Sequence, residues 1–98
     1  MRNPVFKEIK PNYRKRVLEI TLREGRATRK YNLPFAAFED KRIHAKNRFA
    51  SIAIDRELSY QAASFVLEDG TGGEFPADFV LYHCDPAYRF KRLSKQSP

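Results

Sequence analysis

His83, Cys84 and Asp85 are consecutive, the one place in the chain where an imidazole, a thiol and a carboxylate adjoin. Such groups can serve as base, nucleophile and orienting partner. Neighbours on a helix point in different directions, so three consecutive residues cannot assemble a triad among themselves. A metal centre needs three or four ligands at suitable spacing, and the only other histidine is His44. The run Asp69-Gly70-Thr71-Gly72-Gly73 has the glycine content of a phosphate loop. It lacks the Gly-Lys-Ser/Thr ending, and the carboxylates of Glu68, Asp69 and Glu74 oppose an anion. It reads as a hairpin turn. Asp55, Glu57, Glu68, Asp69, Glu74 and Asp78 are the candidates for acid–base chemistry or a divalent ion. Their pattern reads as a solvated rim, although Asp55 and Glu57 would approach Glu68 and Asp69 if the strands carrying them place those ends together. No catalytic, cofactor-binding or metal-ligating set emerges, and a non-enzyme without cofactor is expected.

The densest group of like charges is Arg14, Lys15, Arg16, Arg23, Arg26, Arg29 and Lys30, flanked by Tyr13 and Tyr31. Cross-strand neighbours on a hairpin lie about 5 Å apart, so several of these side chains could share one surface. The tyrosines could then stack on bases, giving salt-sensitive binding without sequence readout. The competing reading is a charged sheet edge that blocks strand-to-strand aggregation. Arg89, Lys91, Arg92 and Lys95 extend the patch or complement a helix C-terminus.

The charge is unevenly distributed. The 98 residues carry a formal +7, but residues 1–30 hold ten Lys or Arg against three Glu, while residues 49–88 hold seven acids against Arg56 alone. The chain is basic at both ends and acidic in the middle, a polarity suited to complementary docking. With 42% apolar residues, one core is within reach and two are not. Cys84 is the single cysteine, which excludes an internal disulfide. Residues 1–10 contain no apolar h-region, and apolar runs such as Phe79 to Tyr82 are far short of a membrane span. A cytoplasmic protein with no membrane partner is expected.

The elements that must position these groups follow from periodicity. Arg16 to Leu22 and Ala27 to Leu33 alternate with a period of two around Glu24-Gly25 and predict a β-hairpin. Arg48 to Ile54 and Ala62 to Leu67 predict two more strands, and Glu74-Phe75 a very short fifth. Residues 1–12 read as an arm punctuated by Pro4 and Pro11, with Val5, Phe6 and Ile9 able to form an edge strand. Phe35 to Asn47 reads mostly as loop. Pro76 and Asp78 mark one helix start, and Asp85-Pro86 a second. The predicted fold is α+β: a mostly antiparallel sheet of four or five strands with one or two short C-terminal helices. One domain is placed over 13–93, with a frayed tail over 94–98. Leu18, Ile20, Leu22, Tyr31, Leu33, Ile52, Ile54, Phe65, Leu67, Phe79 and Leu81 are the predicted core.

The order of these features over Tyr13 to Leu93 resembles an uncharacterised bacterial family of small α+β domains. The hairpin, Tyr31-Asn32-Leu33-Pro34-Phe35, Ile54-Asp55-Arg56-Glu57-Leu58, Asp69-Gly70-Thr71-Gly72-Gly73 and Asp85-Pro86-Ala87-Tyr88 carry the likeness. Proteins of that kind can continue past the aspartate-proline segment into a helix-turn-helix-like tail, which is absent from this sequence. It also resembles a second uncharacterised bacterial domain whose genes can lie near toxin–antitoxin pairs. Neither resemblance implies an activity. The expected function is a non-enzymatic protein-interaction or regulatory module, with a protein partner or self-association. The alternative is a sequence-independent nucleic-acid-binding domain that uses Tyr13, Arg14, Arg16, Arg23, Arg26, Arg29 and Lys30.

Overall fold

The structure, a computed structural model, describes residues 4–41 and 48–90, with the side chains of 39–41 left aside. His44, Lys91, Arg92, Leu93 and the tail over 94–98 lie outside the described residues. The first sheet is an antiparallel meander of β1 (Val5–Asn12), β2 (Val17–Glu24) and β3 (Ala27–Pro34). The second is a meander of β4 (Phe49–Ile54), β5 (Ala62–Leu67) and β6 (Gly72–Pro76). Helix α1 (Ala77–Cys84) follows, and residues 86–90 begin a second helical segment. The α+β class and the two short C-terminal helices hold. The single sheet of four or five strands is corrected to two sheets of three.

β2 forms where the alternation is cleanest. Leu18, Ile20 and Leu22 are at most 1% exposed, and they pair with Leu33, Tyr31 and Arg29 on β3. The β2–β3 connection is two residues long, and Gly25 supplies the positive φ of +64° such a tight hairpin needs.

Of the two readings of residues 1–12, the edge strand holds, as β1 at the margin of the first sheet, and a bulge lets it turn both Phe6 and Ile9 toward the core. Phe6 and Ile9 are three residues apart, so a regular strand would send them to opposite faces. An extra residue at Lys7 shifts the register, so Phe6 opposes Leu22 and Ile9 opposes Ile20, both on the core side. β4 repeats the device. An irregularity at Ala50 lets Phe49 oppose Leu67 while Ile52 opposes Phe65, so Phe49 joins the isoleucine face from which simple alternation excludes it. The stretch read as loop begins instead with a 3-10 helix, Phe35–Lys41, because Phe35 and Phe38 are both drawn into the core.

Seven of the eight phenylalanines form one connected set of ring contacts. Phe38 is fully buried and touches Phe65, Phe75 and Phe79 at centroid distances of 5.8, 5.2 and 5.3 Å. Phe75 in turn meets Phe6 of the first sheet edge-on at 5.6 Å. Edge-to-face geometry of this kind adds about 0.5–1.5 kcal/mol per pair beyond area burial. Phe90, 73% exposed, is the one left out. Of the predicted core, Tyr31, Ile52, Ile54 and Phe79 are only half-buried at its margin. Phe6, Phe38, Phe75 and Val80 take the centre.

Two hydrogen bonds tie the two sheets together, and a third anchors α1 to the second sheet. Phe6 N–H donates to the Tyr60 carbonyl at 2.8 Å, and the Tyr13 hydroxyl accepts from Phe49 N–H at 3.2 Å. Ala77 N–H donates to Gln61 O at 2.9 Å, fixing the start of α1. Asp85 accepts from the N–H groups of Ala87 and Tyr88, so the predicted cap of the second helical segment is present.

Phe38→Ala is expected to cost about 3–5 kcal/mol in a denaturant melt, the range for a buried phenylalanine truncated to alanine. Gly73→Ala tests the same cluster from the backbone. A Cβ there would lie 2.5 Å from the Phe65 ring. An expected loss of about 1–3 kcal/mol follows from overpacking.

Candidate binding site: a cation-rimmed groove

The structure does not gather the predicted basic residues onto one face. Arg14, Lys15 and Arg16 occupy the β1–β2 turn, where Lys15 N–H donates to the Asn12 side chain at 3.1 Å and Arg16 has a φ of +56°. Arg26 occupies the β2–β3 turn at the other end of β2, roughly 23 Å away at the strand rise. Along the hairpin, Lys30 pairs with Thr21 on the outward face, while Arg29 pairs with Leu22 on the core side. The outward face also holds Glu8 and Glu19, and Glu8 lies 3.1 Å from Lys10. The basic residues thus form separate clusters interrupted by acids. The Tyr13 ring packs on Phe35, its hydroxyl bonds the Phe49 backbone, and Arg48 sits over its face at 4.4 Å.

The acidic residues are likewise dispersed. β4 and β5 are antiparallel, so Asp55 and Glu57 sit at one end of the second sheet and Glu68 and Asp69 at the other. Asp55 and Asp69 accept from the N–H groups of Glu57 and Thr71, each two residues on, which stabilises their turns. No group of three His, Cys, Asp or Glu that could hold a metal occurs among the described residues. His83 stacks edge-on against Phe79 at 4.5 Å, and burial, then Arg89, lowers its pKa from the usual value. The Cys84 thiol donates to Asn32 O at 3.5 Å, and burial raises its pKa despite Arg89.

A groove of about 650 Å³ opens instead along the seam between β1 and β4, within the usual size of ligand sites. Ile9, Ile52 and Ile54, all half-buried, line it with Val5 and Phe6. Lys7, Arg23 and Arg56 line it with exposed cationic side chains, and Tyr60 adds a half-exposed ring. No acid among the described residues lines the groove. None of these three cations has an ion-pair partner among the described residues.

Local structure places each of these groups. The bulge in β1 sets Lys7 outside the regular ladder. Arg56 and Tyr60 lie in a turn closed by Ser59 N–H to Arg56 O, Tyr60 N–H to Asp55 O and Gln61 N–H to Leu58 O, at 3.0–3.1 Å. Within it Ser59 and Tyr60 hold φ of +55° and +64°, which costs roughly 1–2 kcal/mol per residue for L side chains. Of the candidate binding residues named from the sequence, only Arg23 belongs to the groove. Lys7, Arg56 and Tyr60 had no local signal beyond an aromatic in a polar turn, because a bulge and an inter-sheet seam bring them together.

One interaction of the basic hairpin is structural. Glu24 is 6% exposed, and its Oε2 accepts from the Tyr31 hydroxyl at 2.8 Å, with Arg29 Nε 3.9 Å away. Burial, then the bond to Glu24, pushes Tyr31 well above the ordinary 10.0.

Comparison with protein-family models, curated proteins and solved structures returned no match. Among the described residues no helix is long and apolar enough to cross a membrane.

Tyr31→Phe is expected to cost about 1.5–3 kcal/mol at neutral pH, the range for a hydrogen bond to a charged group. The folded state holds the Tyr31 proton more tightly than the unfolded chain, so this contribution is whole below pH 10.0 and is lost as the pH rises beyond it. Denaturant melts across alkaline pH should show a shallower decline in the variant than in the wild type.

Proposed function

We propose that this protein is a non-enzymatic interaction module that docks an anionic protein partner in the groove between β1 and β4. The observation that supports it is the pairing of an isoleucine floor with three cations that lack ion-pair partners among the described residues. Apolar burial supplies affinity at about 25 cal/mol per Å². The cations supply orientation, and with the overall +7 they accelerate encounter with an acidic surface. A partner that neutralises Lys7, Arg23 and Arg56 removes the repulsion among them as it binds.

The nucleic-acid reading draws on the same charge, but the hairpin residues proposed for it are split between two turns and two faces, with Glu8 and Glu19 interleaved. Phosphate binding favours a continuous cationic track.

The two readings separate in one experiment. The wild type and a Lys7→Glu/Arg23→Glu/Arg56→Glu variant are immobilised and exposed at low salt to cell extract with and without nuclease treatment. The wild type should retain a protein that the variant does not, and raising the salt should release it. Equal retention on both proteins would overturn the proposal, and binding abolished by the nuclease would transfer it to nucleic acid. All three positions are exposed, so the variant should melt near the wild-type temperature.

A further inference from the structure

We infer that the groove's occupant is an extended segment of an acidic partner protein in which carboxylates alternate with aliphatic side chains. The inference rests on the interaction-module reading and adds the chemistry of the ligand. The floor is aliphatic: Ile9, Ile52 and Ile54 offer branched hydrocarbon, and among the described residues Tyr60 is the only exposed ring of the lining. Nucleobases gain most from flat aromatic platforms. Leucine or valine side chains gain from aliphatic contact of any orientation, since that attraction is non-directional.

The rim is cationic. An extended chain sends successive side chains to opposite sides, so a segment lying along the seam turns one set toward the isoleucines and leaves the other set level with Lys7, Arg23 and Arg56. Aliphatic residues suit the first set and carboxylates the second. The arginines can receive carboxylates in bidentate fashion. A second copy of this chain is disfavoured as occupant because it brings its own +7 into a site of the same sign.

Two backbone irregularities converge on this surface from separate sheets: the bulge at Lys7 and the left-handed pair Ser59–Tyr60. The first interrupts the ladder of its sheet, the second shapes the turn between β4 and β5, and both set groups that line the groove. Irregularities of this kind concentrate at functional surfaces. They accompany the inference, which stands on the shape and charge of the groove.

The probes are three fluorescently labelled synthetic peptides of equal length, alternating Glu with Leu, Glu with Ser, and Lys with Leu, titrated at low salt and read by anisotropy. The Glu/Leu peptide should bind at least about tenfold more tightly than either of the others. Arg23→Ala/Arg56→Ala should weaken it by about tenfold or more. Tyr60→Asn removes the ring while keeping a residue that tolerates left-handed backbone. It should weaken binding several-fold without lowering the melting temperature. Equal affinity for the Glu/Ser peptide would reduce the effect to charge attraction and overturn the inference. Binding untouched by the arginine substitutions, or displaced more readily by single-stranded oligothymidylate than by unlabelled Glu/Leu peptide, would overturn it as well. If the peptides fail while the triple-Glu variant still loses its protein partner from extract, the occupant proposed here falls and the interaction-module reading stands.

Discussion

Everything in this fold depends on edge-to-face packing around Phe38 and Phe75. Each sheet has three strands, few enough that an exposed apolar face would leave it marginal alone. The phenylalanines solve this jointly. Phe6 comes from the first sheet, Phe49, Phe65 and Phe75 from the second, Phe35 and Phe38 from the connection, and Phe79 from α1. The cluster fixes how the sheets meet, and their meeting line creates the groove. Where β1 passes β4 the core thins to Ile9, Ile52 and Ile54, which reach the surface half-covered. The apolar floor is thus the exposed margin of the same core that holds the protein together.

Charge follows the same geometry. The hairpin basics divide between the two ends of β2, and the acids divide between the two ends of the second sheet, because antiparallel pairing sends consecutive turns to opposite ends. A plot of charge along the sequence therefore exaggerates how separated the signs are in space. Glu24 shows the converse. It belongs to the most basic part of the chain, yet it is buried beneath Tyr31 and Arg29. Lys7, Arg23 and Arg56 come from both sheets and carry no such compensation among the described residues.

Much of the local structure is legible in the sequence. Period-two alternation marks β2, β3 and β5, the Gly25 hairpin and the Gly70 turn are written in their residues, and the Asp85-Pro86 start is correctly read. The misreadings share physical causes. Bulges at Lys7 and Ala50 break the alternation, so β1 reads as an arm or an edge strand alike and Phe49 reads as facing away from the isoleucines. Phe38, in an unpatterned stretch, becomes central through contacts with residues distant in sequence. The division into two sheets falls at the connection of residues 35–48, the longest between consecutive strands, but strand periodicity alone does not show that pairing stops there. For the site, only Arg23 stood in the basic set by virtue of its neighbours. Arg56 and Tyr60 sit in the acidic middle, where charge counting directs attention away from them.

The groove, and not the hairpin cations, is the docking surface in this account. Amide-resolved NMR of the isotope-labelled protein, recorded while the Glu/Leu peptide is added, tests that most directly. Shift changes should concentrate at Lys7, Arg23, Ile52, Ile54, Arg56 and Tyr60. Changes centred instead on Arg14, Lys15, Arg16 and Arg26, with the groove amides unmoved, would contradict it.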